Sequence, residues 1–118
     1  PYFSFSLITS FFFFSSLPLF LSLHRLQGNA LQSEHRFEGA VAAYRAALAA
    51  LPNGEGFVEN LGSALSNRGV QLLQEDRDTA GAAAAFRAAL EADKNQADAK
   101  RHLAALLMRQ RQQEAGEQ

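Results

Sequence analysis

From Phe37 to Leu51 the apolar positions are Phe37, Ala40, Val41, Tyr44, Ala47, Leu48 and Leu51, recurring at intervals of three and four. This spacing draws one apolar stripe along an α-helix and leaves Glu38 and Arg45 on the opposite face. Pro52 has no amide hydrogen with which to continue that helix, and Asn53-Gly54 favours a turn. The small residues Ala40 and Ala47 flank the bulky Tyr44. Such a face lets a neighbouring helix approach closely while one ring fills the remaining gap. The pattern then returns. Ala82, Ala85, Phe86, Ala89 and Leu90 form the same face, and "AAYRAALAALPN" (42–53) aligns without a gap on "AAFRAALEADKN" (84–95). Two copies of one helix mark an internal repeat, a pattern that decides the fold before any other signal.

The repeat resembles that of the tetratricopeptide (TPR) family. The family's pairing of a small residue with an aromatic four positions later is met by Ala40/Tyr44 and by Ala82/Phe86. Its closing proline is met by Pro52, whereas the second copy has Lys94 there. Upstream, "QGNALQSEHRFEGA" is similar to the family's first helix and turn, with Gly28 and Leu31 on signature positions. His24 stands where tryptophan is usual and Gln27 where leucine is usual, so the first helix matches least well. The resemblance implies an all-α, right-handed solenoid of antiparallel hairpins, acting as an interaction scaffold for a protein or peptide partner.

Tyr44 and Phe86 are 42 residues apart, against a family repeat of about 34. Counted forward from Tyr44 the signature Leu-Gly pair falls on Leu61-Gly62. Counted back from Phe86 the glycine falls next to Gly69. The two glycines are seven residues apart, about two helical turns, and so share a face. One lengthened helix over Phe57–Gln74 is therefore expected, with Phe57, Leu61, Leu65, Leu72 and Leu73 apolar. "EDRDT" forms the next turn, and Asp78 or Thr79 caps the returning helix. Leu103 follows Phe86 at the 17-residue distance separating Leu61 from Tyr44, so a further first-type helix begins near Ala97, with Leu103, Leu106 and Leu107 inward. The expected domain is 24–112, two hairpins and a closing helix, with 113–118 a polar tail. That is close to the minimum for a solenoid, whose units need neighbours to bury their faces. Marginal stability, or membership of a longer array, is expected.

Residues 1–23 differ in kind, carrying no charge before His24 and Arg25. Twenty of these 23 residues are Phe, Ser, Leu or Pro. Length and apolarity fit a targeting segment or membrane anchor. The same four residues are also what codons of pyrimidines alone encode, as in an untranslated tract, and a folded piece of the soluble core is the third reading. A cytoplasmic location is expected in the second case. In the first, a secretory or membrane-associated one is expected, with Arg25 at the inner edge of the bilayer.

Composition removes several chemistries. A formal net charge of −1 offers no electrostatic footprint for nucleic acid. The absence of cysteine excludes disulfides and thiolate metal sites. His24, His35 and His102 lack partners at ligand spacing, and a calcium loop starting at Asp76 fails at Ala80 and Arg87. Gly54-Glu55-Gly56 lacks the further glycine and lysine of a phosphate loop. No enzyme, metal or cofactor is expected.

One branch of the TPR family grips the Glu-Glu-Val-Asp tail of heat-shock chaperones with a two-carboxylate clamp. A terminal carboxylate beside an Asp side chain needs several donors converging from separate helices. By resemblance the clamp positions fall on Arg25, Asn29, Asn67 and Arg101, with Ala97 in place of a lysine. The packing positions are Gly28, Ala40, Tyr44, Ala47, Pro52, Ala82, Phe86, Ala89 and Leu103. A co-chaperone-like adaptor is thus the alternative to a general scaffold, and a membrane-anchored assembly factor a third if residues 1–23 are an anchor.

Overall fold

The computed structural model of the chain describes residues 2–52, 54 and 56–117, with side chains from Ser16 onward. Asn53 and Glu55, on which the turn and the rejected phosphate loop were read, lie outside the described residues, as do Pro1 and Gln118. The described residues form five α-helices and no strand: α1 (Tyr2–Ser33), α2 (Phe37–Ala50), α3 (Phe57–Gln74), α4 (Thr79–Ala92) and α5 (Ala97–Gly116). The all-α expectation holds, and α3 has the bounds that the apolar pattern predicts.

Each helix packs chiefly on the next in sequence, in the order α1, α2, α3, α4, α5. Within α1–α2, Gly28 lies against Tyr44 and Gly39 against Leu31; within α3–α4, Gly69 lies against Phe86 and Gly62 against Asp93. Residue numbers rise on one helix as they fall on the other, so both pairs are antiparallel. The result is elongated, 77 × 25 × 20 Å, with a Cα radius of gyration of 19.1 Å. A compact domain of this length would have a radius of about 13 Å.

The two copies of the repeat helix are structurally alike. α2 and α4 each have 14 residues, and their bounds are offset by 42. Ala40, Ala43, Tyr44 and Ala47 are buried on one, and Ala82, Ala85, Phe86 and Ala89 at the matching places on the other. Each ring sits over a glycine of the preceding helix. A Cβ on Gly28 would lie 2.5 Å from Tyr44 Cε1, and one on Gly69 would lie 2.6 Å from Phe86 Cε1. Both glycines of α3 face α4: Gly69 receives the ring, while Gly62 lets the end of α4 approach at Asp93.

The ends of the helices have local causes. Pro52 restricts the residue before it, and Leu51, the C-cap of α2, is extended at φ −138°, ψ 88°. The second copy has no proline, yet Asp93 caps α4 at φ −140°, ψ 100°. There the Asp93 carboxylate accepts a hydrogen bond from the Asn95 amide at 3.0 Å, an Asx turn that replaces the ring's restriction. Asp78, one of the two expected caps of α4, accepts from the Gly81 amide at 2.9 Å. α3 begins at Gly56, in the left-handed region at φ 86°, where the Glu59 carboxylate reaches back to its amide at 3.0 Å. α1 ends in a Schellman motif: the Arg36 amide donates to the Leu31 carbonyl and the His35 amide to that of Gln32. His35 sits at φ 59° in that motif, and Arg77 at φ 52° after α3, both places where glycine is usual.

Three expectations differ from what is found. The boundary expected after Leu23 falls inside α1, which runs through Pro18 to Ser33. Adding residues to an existing helix is far easier than starting one, and Leu21 packs on the core. The polar stretch expected as a tail continues α5 to Gly116. Gln, Arg, Glu and Ala are good helix formers, and Gln110 donates to Glu114 one turn on. Leu106 is buried as expected and Leu103 half-buried, but Leu107 is exposed, because no later helix covers that side of α5 among the described residues. Where side chains are described, no helix is long and apolar enough to cross a membrane.

Two stability predictions follow from this packing. Gly28→Ala and Gly69→Ala force the facing rings aside and are expected to cost about 1–3 kcal/mol each by urea denaturation. Gly116→Ala, which meets nothing within 4 Å, serves as a control of little effect. Arg77→Gly relieves a left-handed backbone and is expected to raise stability by about 1 kcal/mol; a lower melting temperature would refute that cause.

Candidate functional site

The sequence points to a polar face built on α1 and α3, and two of its four candidate residues meet there. Asn29 and Gln32 are three residues apart on α1 and therefore share a face. Gln32 stands opposite Asn67 of α3, whose Nδ2 donates to Gln32 Oε1 at 3.0 Å. Gln32 Nε2 in turn donates to the Tyr44 hydroxyl at 3.3 Å. That hydroxyl donates to Asn29 Oδ1 at 2.6 Å. Asn67, Gln32, Tyr44 and Asn29 thus form one continuous chain of hydrogen bonds across three helices. Tyr44 is fully buried, and its phenolic end is the point where the core meets this polar face.

The two basic candidates lie apart from that chain. Arg25, exposed and one turn before Asn29, holds its guanidinium carbon 5.0 Å from the centroid of the Phe57 ring. This cation–π contact covers the otherwise buried start of α3. Arg101 is exposed and pairs with Asp98 of its own helix at 2.5 Å. Ala97 is exposed and offers no side-chain donor. Two asparagines and one arginine therefore occupy α1 and α3, and the fourth candidate is neutralised by a neighbour on α5.

The remaining named positions serve packing. Gly28, Ala40, Tyr44, Ala47, Ala82, Phe86 and Ala89 are buried, Leu103 is half-buried, and Pro52 is exposed in the turn. The histidines have local roles. His24 Nδ1 donates to the Phe20 carbonyl at 2.8 Å, and His35 meets the Phe37 ring edge-on. His102 stacks on Phe86 with ring centroids 5.2 Å apart. Among the described residues no cluster of three or more His, Asp or Glu side chains could hold a metal ion.

Two features were not read from the sequence. Gln32 is the hub of the polar chain, and its only sequence signal is the three-residue spacing from Asn29. Arg68 of α3, 29 % exposed, pairs with Glu38 of α2 at 2.6 Å. Beside this pair, a groove of about 580 Å³ is floored by Val41, Leu65, Leu72 and Ala85.

A double-mutant cycle on Gln32→Ala and Asn67→Ala is expected to give a coupling of about 0.5–1 kcal/mol in urea denaturation. Strict additivity would show that the bond between α1 and α3 contributes nothing. Comparison of the chain with protein-family models, with curated proteins and with solved structures finds no match.

Proposed function

We propose that the chain is an interaction module of the tetratricopeptide type: a right-handed α-solenoid of two antiparallel hairpins and a closing helix that holds an extended peptide segment. The observation that carries this reading is the repeated seat of a ring on glycine, Tyr44 over Gly28 and Phe86 over Gly69. The two helices that supply the rings have the same length and the same four buried positions. Stacked hairpins of this kind curve, and the first helices of successive pairs line an extended concave surface. In this chain those helices are α1, α3 and α5, and their polar side chains Asn29, Gln32 and Asn67 would face the ligand.

A narrower ligand class is favoured by the hydrogen-bond chain that brings Asn29 and Asn67 together. The Asn29 NH2 group, the second Asn67 amide hydrogen and, one turn away, Arg25 are then the donors for a peptide's C-terminal carboxylate, as in a chaperone-tail adaptor. The Arg101–Asp98 pair and Ala97 make this a weaker clamp than one with five free donors.

Calorimetry on the full chain tests both readings. A peptide ending Glu-Glu-Val-Asp is expected to bind in the micromolar range, more weakly at higher salt. Its C-terminal amide, and the Asn67→Ala variant, are expected to lose that binding. A folded chain that ignores the acid peptide removes the clamp. Selection from a random peptide library then tests the general reading, which fails if enriched peptides bind Asn29→Ala and Asn67→Ala as well as the unaltered chain.

A further inference from the structure

The geometry points to Tyr44 as a positioning residue: its buried hydroxyl sets which way the Asn29 amide faces, and so makes α1 present donors to a ligand. The purpose of this device rests on the peptide-binding reading above; its existence does not.

A chain of amides can run in either sense. In one, Asn67 donates to Gln32, Gln32 to Tyr44, and Tyr44 to Asn29. In the other, all three amides are turned over and Asn29 donates to Tyr44. The phenol has a single proton, so it can donate at only one end. The distances decide which. Tyr44 Oη lies 2.6 Å from Asn29 Oδ1, a separation typical of O–H···O and too short for N–H···O. The 3.3 Å link to Gln32 is suited to the longer N–H donor. The proton of Tyr44 therefore lies towards Asn29, whose carbonyl is occupied from inside.

The consequence for the surface is specific. Asn29 is exposed, and with Oδ1 held by Tyr44 its NH2 group is left to turn outward with both hydrogens. Arg25, one turn earlier, has donors only. Arg25 and Asn29, one turn apart, therefore both offer N–H groups, which suits a carboxylate or a peptide carbonyl. Turned over, Asn29 would present its oxygen and repel the same ligand. Tyr44 thus joins two tasks: its ring seats α2 on Gly28, and its hydroxyl gives the polar face its sense.

Tyr44→Phe keeps the ring and removes the proton. NMR of the full chain, labelled with 13C and 15N, tests the orientation without any ligand. The Asn29 13Cγ resonance is expected to move upfield in Tyr44→Phe, as its carbonyl loses a short hydrogen bond, while backbone amides outside the site stay in place. A static 13Cγ with the change at 15Nδ2 would show the opposite sense and overturn the proposal. In calorimetry the acid-ended peptide is expected to bind Tyr44→Phe about fivefold more weakly, the effect of one hydrogen bond. Unchanged binding of that peptide would also overturn it. Should the unaltered chain bind neither peptide, the peptide-binding reading falls and the carbonyl shift alone decides the role of Tyr44.

Discussion

The close approach of an aromatic ring to a residue without a side chain is the constraint on which the rest of the structure depends. Tyr44 over Gly28 and Phe86 over Gly69 bring α2 onto α1 and α4 onto α3. The alanines around each ring are then packing surface, since a thin helix is needed where another must lie close. Alanine alone would leave the gap unfilled, and packing contacts fall away steeply with separation. One large ring per hairpin solves this, and Tyr44 and Phe86 are both fully buried. The hydrogen bonds of Tyr44 follow from the same placement, because the ring delivers its hydroxyl to the rim of the core.

Much of this was legible before the structure. The bounds of α3, the cap at Asp78 and the burial of both repeat helices are local consequences of periodicity and turn chemistry, which a single sequence carries. The long helix expected to hold both glycines is found, and both face α4, Gly69 beneath the Phe86 ring and Gly62 beside Asp93. What periodicity could not supply was the continuation of helices through poor or polar sequence. The uncharged stretch before Leu23 has middling helix formers and a proline, and it is helical because it extends an already packed helix. The last turns of α5 bury little and persist on propensity.

The candidate site was legible in part. Asn29 and Asn67 were placed by resemblance, and they meet through Gln32, which no motif singled out. Pairing across helices depends on which side chain stands opposite, and a sequence gives spacing along one helix only. Arg101 is the opposite case, since its partner was within reach of the spacing along one helix. Its position fits a clamp, yet Asp98 lies three residues before it on the same helix and takes its charge.

The unbroken course of α1 has a mechanical consequence. A helix of 32 residues is a rod of roughly 48 Å, and its C-terminal turns carry Arg25, Asn29 and Gln32. No non-helical linker separates this portion from the apolar one among the described residues, and Pro18 interrupts the hydrogen-bond ladder between them. Whatever grips the rod near its beginning would therefore set the azimuth and tilt of the donor face directly, as a shaft sets the bearing of the blade fixed to it.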